Sequence, residues 1–269
     1  MLIQRMEREM LNGFFRSTGL ISRNDIPDKD KSRKIEQILS YLEIIHSLMR
    51  KYSMKRKLLF IESCAGNCYL SFLVYYYYSH INPRPVEIHC VDIDDKLMDK
   101  SKALADELGF TDMHFHTSDI LDYRQDCVPD LVYNLHACDT ATDKALFLAM
   151  KNRAKNILSV SCCQHSIRKR MRGSRFWGIS RHGVFKERMV YIVADSLRAL
   201  LMEMEGYETE ILEFTSSRFT DKNVMIRARR GQGADADILK EEYRRIRSEF
   251  KVAPALERYL KDRYLPNTE

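Results

Sequence analysis

Two short strings hold most of the reactive side chains in this sequence. Residues 130–143 read DLVYNLHACDTATD and bring together His136, Cys138, Asp139 and Asp143. Residues 161–166 read SCCQHS and add Cys162, Cys163 and His165. Imidazole has a reference pKa of about 6.5, which suits a base near neutrality. His136 and His165 can therefore take a proton from an oxygen or nitrogen acceptor, and Asp139 can orient such a histidine and fix its tautomer. Other chemistries compete. The thiols and imidazoles could hold zinc, although adjacent cysteines without a C-x₂-C pair fit that poorly. Cys162 or Cys163 could act as a nucleophile, but the Pro-Cys turn such residues usually need is absent. In the plainest alternative, both are small residues lining a tight turn.

Each string follows a strand. Residues 131–135 (LVYNL) form a short apolar run rich in β-formers, and residues 156–160 (NILSV) form another. The first gives way to a helical pattern over 142–150, with Asp139 or Thr142 available to cap it. In an open α/β sheet, ligands sit beyond the carboxyl ends of the strands, so both runs deliver their polar residues to one edge. Upstream, residues 58–61 form a strand ending at Glu62, 86–91 a strand ending at Asp92, and 113–117 a strand followed by Asp119. Helices over 69–78 and 96–108 separate them, the latter stopped by Gly109. A helix over 185–205, stopped by Gly206, precedes strands at 207–214 and 223–229. Such alternation predicts a mostly parallel, doubly wound sheet.

Outside this body, residues 1–15 and 32–53 read as helices. The second repeats Ile35, Ile38, Leu39, Leu42, Ile45, Leu48 and Met49 at helical spacing. Residues 24–31, with Pro27, read as a loop, and residues 230–234 as a linker. Residues 235–260 read as a helical tail with Phe250, Leu256, Tyr259 and Leu260 as docking points. The domains expected are a helical segment over 1–55, a catalytic domain over 56–230, and a linker with tail over 231–269.

The first strand-turn-helix offers one glycine, Gly66, for close approach of backbone to ligand. A dinucleotide fingerprint needs three, and no G-x-G-x-x-G or Gly-Lys-Ser/Thr occurs. S-adenosylmethionine (SAM) has less need of phosphate contacts, because it carries an amino acid and a sulfonium. Glu62 can help hold its aminoacyl part, Asp92 can accept both ribose hydroxyls, and Asp119 fits the adenine amine.

LHACDTATD followed by SCCQHS resembles a family of class I SAM-dependent methyltransferases that includes bacterial stand-alone enzymes and eukaryotic methyltransferase-like proteins. More distantly, it resembles the tRNA ribose 2′-O-methyltransferases, which share a His-x-Cys-x-x-Ala-Thr-Asp string and carry Cys-Cys-His-His. The resemblance runs from about Arg33 through Glu187-Arg188, Asp195-Ser196-Leu197-Arg198-Ala199, Gly206-Tyr207 and residues 223–228. It implies a Rossmann-like seven-stranded sheet with an antiparallel end pair, and SAM as cofactor. The implied cofactor residues are Glu62, Gly66, Asn67, Asp92, Ile93, Asp119, Ile120 and Leu135. The candidate catalytic residues remain His136, Asp139 and His165, and no metal is expected. Before the catalytic domain the family has an Arg/Lys-rich helix start, here Arg33-Lys34 with Gln37, which otherwise reads as a solvated helix face. The chain departs from the family in its turn, Ser63-Cys64-Ala65-Gly66-Asn67-Cys68, where relatives carry more glycine and often Lys at the position of Asn67. A non-catalytic scaffold that has kept the fold is thus the rival class.

The acceptor is less determined. No Pro-Pro pair occurs, which argues against adenine N6. Ribose oxygen, a ring nitrogen, a protein side chain or a small molecule remain. The net charge of +6 is uneven: Arg168 to Arg188 holds eight Lys/Arg against one acid, interleaved with Phe176, Trp177 and His182. Lys/Arg neutralise phosphates and aromatics stack on bases, so RNA is the expected partner. The alternative is a lid over an acidic protein or small metabolite. Tyr75–Tyr78 could also stack bases, but four consecutive helical positions point all round the helix. Seven cysteines, an odd number, argue for a reducing, cytoplasmic setting. The start of the chain has no signal-peptide pattern, and the longest apolar run, 69–78, is too short to span a bilayer.

Overall fold

The computed structural model describes residues 8–21, 29–171, 177–231 and 235–264. The expected alternation is realised as a seven-stranded sheet of order β3-β2-β1-β4-β5-β7-β6. It is mostly parallel with an antiparallel end, the Rossmann-like methyltransferase arrangement. The chain divides into two compact units, residues 1–119 with 213–224, and residues 120–212 with 225–269.

The first unit begins with α1 (Arg8–Ser17) and α2 (Lys29–Met49), followed by β1 (Leu58–Ser63), α3 (Tyr69–Tyr76), β2 (Val86–Asp92), α4 (Asp95–Leu108) and β3 (Met113–Thr117). β1 pairs in parallel with β2, and β2 with β3. α2 packs on α3 and buries Ile38, Leu39, Leu42, Ile45 and Met49 of the residues that recur at helical spacing, while Ile35 and Leu48 are half-buried. Asp94 caps α4 by accepting from Leu97 N at 3.1 Å, and Gly109 ends it in the left-handed region at φ 70°. The helix expected over 69–78 changes at Tyr77 into a π-helical turn, Tyr77–Ile81. The wider turn leaves Tyr77 and Tyr78 only 2% and 1% exposed. Tyr76 stacks on Phe14, and the Tyr77 hydroxyl lies 3.1 Å from His46 Nδ1. The tyrosine run is core packing.

The second unit holds β4 (Leu131–Cys138), α5 (Thr140–Lys151), β5 (Asn156–Cys163), α6 (His165–Arg170), α7 (Trp177–Ser180), α8 (Gly183–Met204), β6 (Tyr207–Glu213), β7 (Val224–Arg230), α9 (Ala236–Phe250) and α10 (Ala255–Tyr264). β4 pairs in parallel with β5, and β5 antiparallel with β7. The β4–β5 register slips between Leu135 and Cys138, at the point where the reactive residues begin. The basic stretch from Arg168 to Arg188 includes the second half of α6, all of α7 and the start of α8. The tail, expected as one helix, is two, because Lys251 turns left-handed at φ 53° and Pro254 cannot continue a helix. Leu256 and Leu260 are buried, and Tyr259 lies against Phe147 with ring centroids 5.7 Å apart. Among the described residues no helix is long and apolar enough to cross a membrane.

Candidate active site

The first unit carries the residues expected to hold the cofactor. The turn after β1 alternates left-handed residues, with φ of 57° at Cys64, 52° at Gly66 and 55° at Cys68. This conformation is easy only for glycine. At Gly66 nothing stands within 4 Å of where a Cβ would lie, so the backbone is open to a ligand. Its N–H donates to Asp92 Oδ2 at 2.8 Å, and the Asp94 N–H donates to Asp92 Oδ1 at 3.0 Å. Two backbone donors thus fix the Asp92 carboxylate, and each oxygen keeps a lone pair for a hydroxyl. Ile93 beside it is 73% exposed, an apolar surface in need of cover. Asn67 is exposed. Asp119 is half-buried, and its carbonyl accepts from Ser118 Oγ at 2.9 Å.

Glu62 differs from these. It is 3% exposed, beside Ser71, and its Oε2 has no hydrogen-bond partner among the described residues. Burial pushes its pKa up to about 8, against hydrogen bonds from Ser71 that favour the carboxylate. An orphaned buried carboxyl oxygen, a fixed ribose-type acceptor pair and a bare glycine together fit a ligand bearing an ammonium, a diol and an apolar ring, as SAM does.

The second unit holds the rest. Ile120 is buried, and Leu135 and His136 are half-buried. His136 is itself left-handed at φ 66°, a strained conformation that the slipped register accommodates. The structure brings three thiols together: those of Cys138, Cys162 and Cys163 lie within 4.8 Å of one another. Cys138 and Cys162 Sγ are 2.7 Å apart, and Cys162 also donates to the His136 carbonyl at 3.4 Å. Burial first, then hydrogen bonding to Cys138, pushes the Cys162 and Cys163 thiols up. Both are therefore protonated near neutrality, which serves nucleophilic attack poorly.

Asp139 occupies the N-cap position of α5 with φ 51° and makes no side-chain cap there. Its carboxylate turns instead to the start of α6. Ser166 Oγ donates to Oδ1 at 2.7 Å and Ser166 N–H to both oxygens at 3.2 Å. The expectation that Asp139 orients a histidine ring by direct contact is thus replaced by a contact with the residue after His165. This distant cap also explains why α6 forms where local sequence gives no start signal. His165 is exposed and, with Arg168, Lys169 and Lys186, lines an open recess. Arg168 shares its charge with Glu187 at 3.0 Å. Arg172, Arg175 and Phe176 lie outside the described residues.

Sequence reasoning gave no role to the groups that hold this region together. Arg198 is fully buried. Its Nε donates to Asp143 Oδ1 at 2.8 Å, its Nη1 to Asp195 Oδ1 at 3.0 Å and its Nη2 to the Asp139 carbonyl at 3.3 Å. Burial alone would lower the guanidinium pKa, yet Asp143 and Asp195 raise it overall. Gln164 Nε2 donates to Asp195 Oδ1 at 3.4 Å, and the Ala255 N–H to Asp143 Oδ2 at 3.2 Å. The terminal Asp of LHACDTATD and the pair in Asp195-Ser196-Leu197-Arg198 are therefore one ion network. Its members stand 55 residues apart for Asp143 and Arg198, a separation that periodicity cannot bridge.

Comparison with known proteins places this geometry. Residues 33–170, half of the chain, match a family described as a methyltransferase domain. No curated protein matches the sequence. Among solved structures, magnesium protoporphyrin IX methyltransferase from Synechocystis PCC 6803 with bound S-adenosylhomocysteine is similar at TM-score 0.51 and 14% identity. That match covers 83% of this chain and 99% of that one. An rRNA methylase from Streptococcus thermophilus (TM-score 0.43, 7% identity, 78% and 100% covered) and the N-methyltransferase NodS from Bradyrhizobium japonicum WM9 (0.45, 12%, 74% and 97%) are similar more loosely. At such identities what is shared is the fold. The family match stands on the sequence itself: the chain belongs to the methyltransferase-domain family, with the fold of its SAM-dependent enzymes.

Proposed function

We propose that this chain transfers the methyl group of SAM to an oxygen or nitrogen of RNA. The observation that carries the acceptor is the recess at the start of α6, where His165 stands among Arg168, Lys169 and Lys186. SAM, when bound, supplies a methyl group already activated by its sulfonium. The chain's own work is to hold donor and acceptor and to remove a proton. Glu62 takes the aminoacyl end and Asp92 the ribose. Gly66 and Asn67 give backbone access, Ile93, Ile120 and Leu135 give apolar cover, and Asp119 meets the adenine. His165 accepts the acceptor's proton on a ring nitrogen, while the three cations hold a neighbouring phosphate. Asp139 acts as a positioning residue through Ser166, and His136 serves the acceptor from the end of β4. The odd number of cysteines, seven, is in keeping with a reducing cytoplasm.

One observation favours a protein acceptor as the second reading. Ile179, Val184, Phe185 and Ile192 on α7 and α8 expose apolar side chains, at 47–67% of their surface. Transfer of labelled methyl from SAM into fractionated extract separates the two. RNA should carry the label, and activity should fall with salt by about 0.7–0.9 in log–log slope per contacted phosphate. Replacing Arg168, Lys169 and Lys186 by alanine should flatten that slope. His165→Ala should cut turnover by roughly 10²–10⁴-fold with SAM affinity kept. Label in protein or small molecules alone would overturn the acceptor, and absence of SAM binding by calorimetry would overturn the activity.

A further inference from the structure

The outer strands of the first unit carry a second cluster of ligating side chains. Glu87 and His89 stand two residues apart on β2, and His114 and His116 two apart on β3, with His89 opposite His114 in the parallel register. Alternation along a strand puts such pairs on one face. Glu87 Oε1 lies 3.0 Å from His89 Nε2 and 3.7 Å from His114 Nε2. The ligand atoms of these three residues all fall within 4.8 Å of one another. Two ligands of a tetrahedral zinc ion, each at about 2.0–2.1 Å, stand roughly 3.3 Å apart. The other nitrogen of His89, Nδ1, lies 3.0 Å from His116 Nε2, and those two rings are near-parallel at 6°.

We propose that this face binds a late first-row divalent cation, zinc foremost, through Glu87 Oε1, His89 Nε2 and His114 Nε2. Two imidazoles and one carboxylate, without thiolate, suit zinc, copper or nickel, and three protein ligands leave a position for water. His116 supplies the outer partner that a ligating histidine needs on its second nitrogen. The surface is partly sheltered: the side chains of His89, Glu87 and His114 are 12%, 29% and 43% exposed. One group opposes the cation. Lys57 Nζ pairs with Glu87 Oε2 at 2.9 Å and with Asp112 at 2.8 Å, leaving Oε1 to the metal but adding a positive charge beside it. On β2, Glu87 and His89 precede Asp92 by five and three residues, roughly 16 and 10 Å of strand, and these odd offsets put both ligands on the opposite face from Asp92. A cation there would clamp β3 to β2 independently of their backbone hydrogen bonds.

Cobalt(II) titrated into the full-length protein tests the site. We expect the visible bands of a four-coordinate ion with nitrogen and oxygen ligands, no thiolate charge-transfer band, and displacement by zinc. His114→Ala, at a half-exposed position, should abolish those bands with the circular dichroism unchanged, and Glu87→Gln should do the same if the alanine variant unfolds. His116→Ala should weaken zinc binding by about 10–100-fold, and Lys57→Met should tighten it. Bands that survive both His114→Ala and Glu87→Gln would overturn the site. So would a thiolate band removed by substituting Cys138, Cys162 and Cys163, or a protein that takes up no cobalt.

Discussion

The acids of the two units are spent differently. Among the described residues of the first, Asp92 receives only backbone donors, and Glu62 keeps an oxygen without a partner at 3% exposure. In the second, Asp139, Asp143 and Asp195 are consumed by Ser166, Arg198, Gln164 and Ala255. Carboxylates with spare capacity indicate a ligand. Carboxylates satisfied from within indicate architecture. By that measure the conspicuous DTATD string is scaffold as much as chemistry, and the plainer Glu62 and Asp92, each ending an unremarkable strand, are the more exposed to selection by a ligand.

The contrast can be broken most forcefully at Arg198. Arg198→Met leaves two buried carboxylates without their cation and should cost about 3–5 kcal/mol of stability, read by denaturant unfolding. A loss below about 1 kcal/mol would show that Asp143 and Asp195 are not a structural pair. Asp92→Asn should do the reverse, costing only about 1 kcal/mol of stability as one of its two backbone donors loses its acceptor, while SAM affinity falls roughly 30-fold or more, about 2 kcal/mol, as hydrogen bonds to a charged acceptor are lost. Calorimetry reads this directly, and unchanged affinity would remove Asp92 from the cofactor site.

Glu62 sharpens the comparison through pH. Its folded pKa of about 8 stands above the ordinary 4.5, so the native state holds a proton that the unfolded chain has released. Its contribution is full below about 4.5 and is lost as pH rises toward about 8, at up to about 1.4 kcal/mol per pH unit. Melting of the ligand-free protein across that window should show the decline, and Glu62→Gln should flatten it. A slope unaltered by Glu62→Gln would mean that the carboxyl is not buried as an acid. The smallest effect belongs to the turn. Cys64 holds φ 57° without being glycine, and Cys64→Gly should change stability by less than about 1 kcal/mol, toward greater stability. A large loss would show that the thiol, rather than the backbone, is what the turn needs.

Much of this was legible in the sequence. β3 matches its expected bounds, and β1, β2 and β7 differ from theirs by one or two residues, because apolar runs bounded by acids and glycines mark buried strands. β4 and β5 run three residues past their apolar stretches, into the reactive residues themselves, where hydropathy gives no signal. Glu62, Asp92 and Asp119 stood out for the same reason, since each lies at or just past the end of an apolar run. What remained hidden depends on partners far along the chain. Ser166 caps nothing locally and meets Asp139 across 27 residues. Glu87-x-His89 and His114-x-His116 each have the spacing of one strand face, but only the pairing of β2 with β3 turns two ordinary dipeptide patterns into a ligand set.

The contact between Ala255 and Asp143 spans 112 residues, and it sets a schedule. Translation proceeds at about 5–20 residues per second, so Asp143 waits roughly 3–11 s for Arg198 to be made and roughly 6–22 s for Ala255. During that interval Asp143 lacks the donors that satisfy it in the finished fold, and an unpaired carboxylate resists burial. The hydrogen bonding of Asp143 is thereby completed last by a neutral group, the Ala255 N–H, after Arg198 has already balanced its charge.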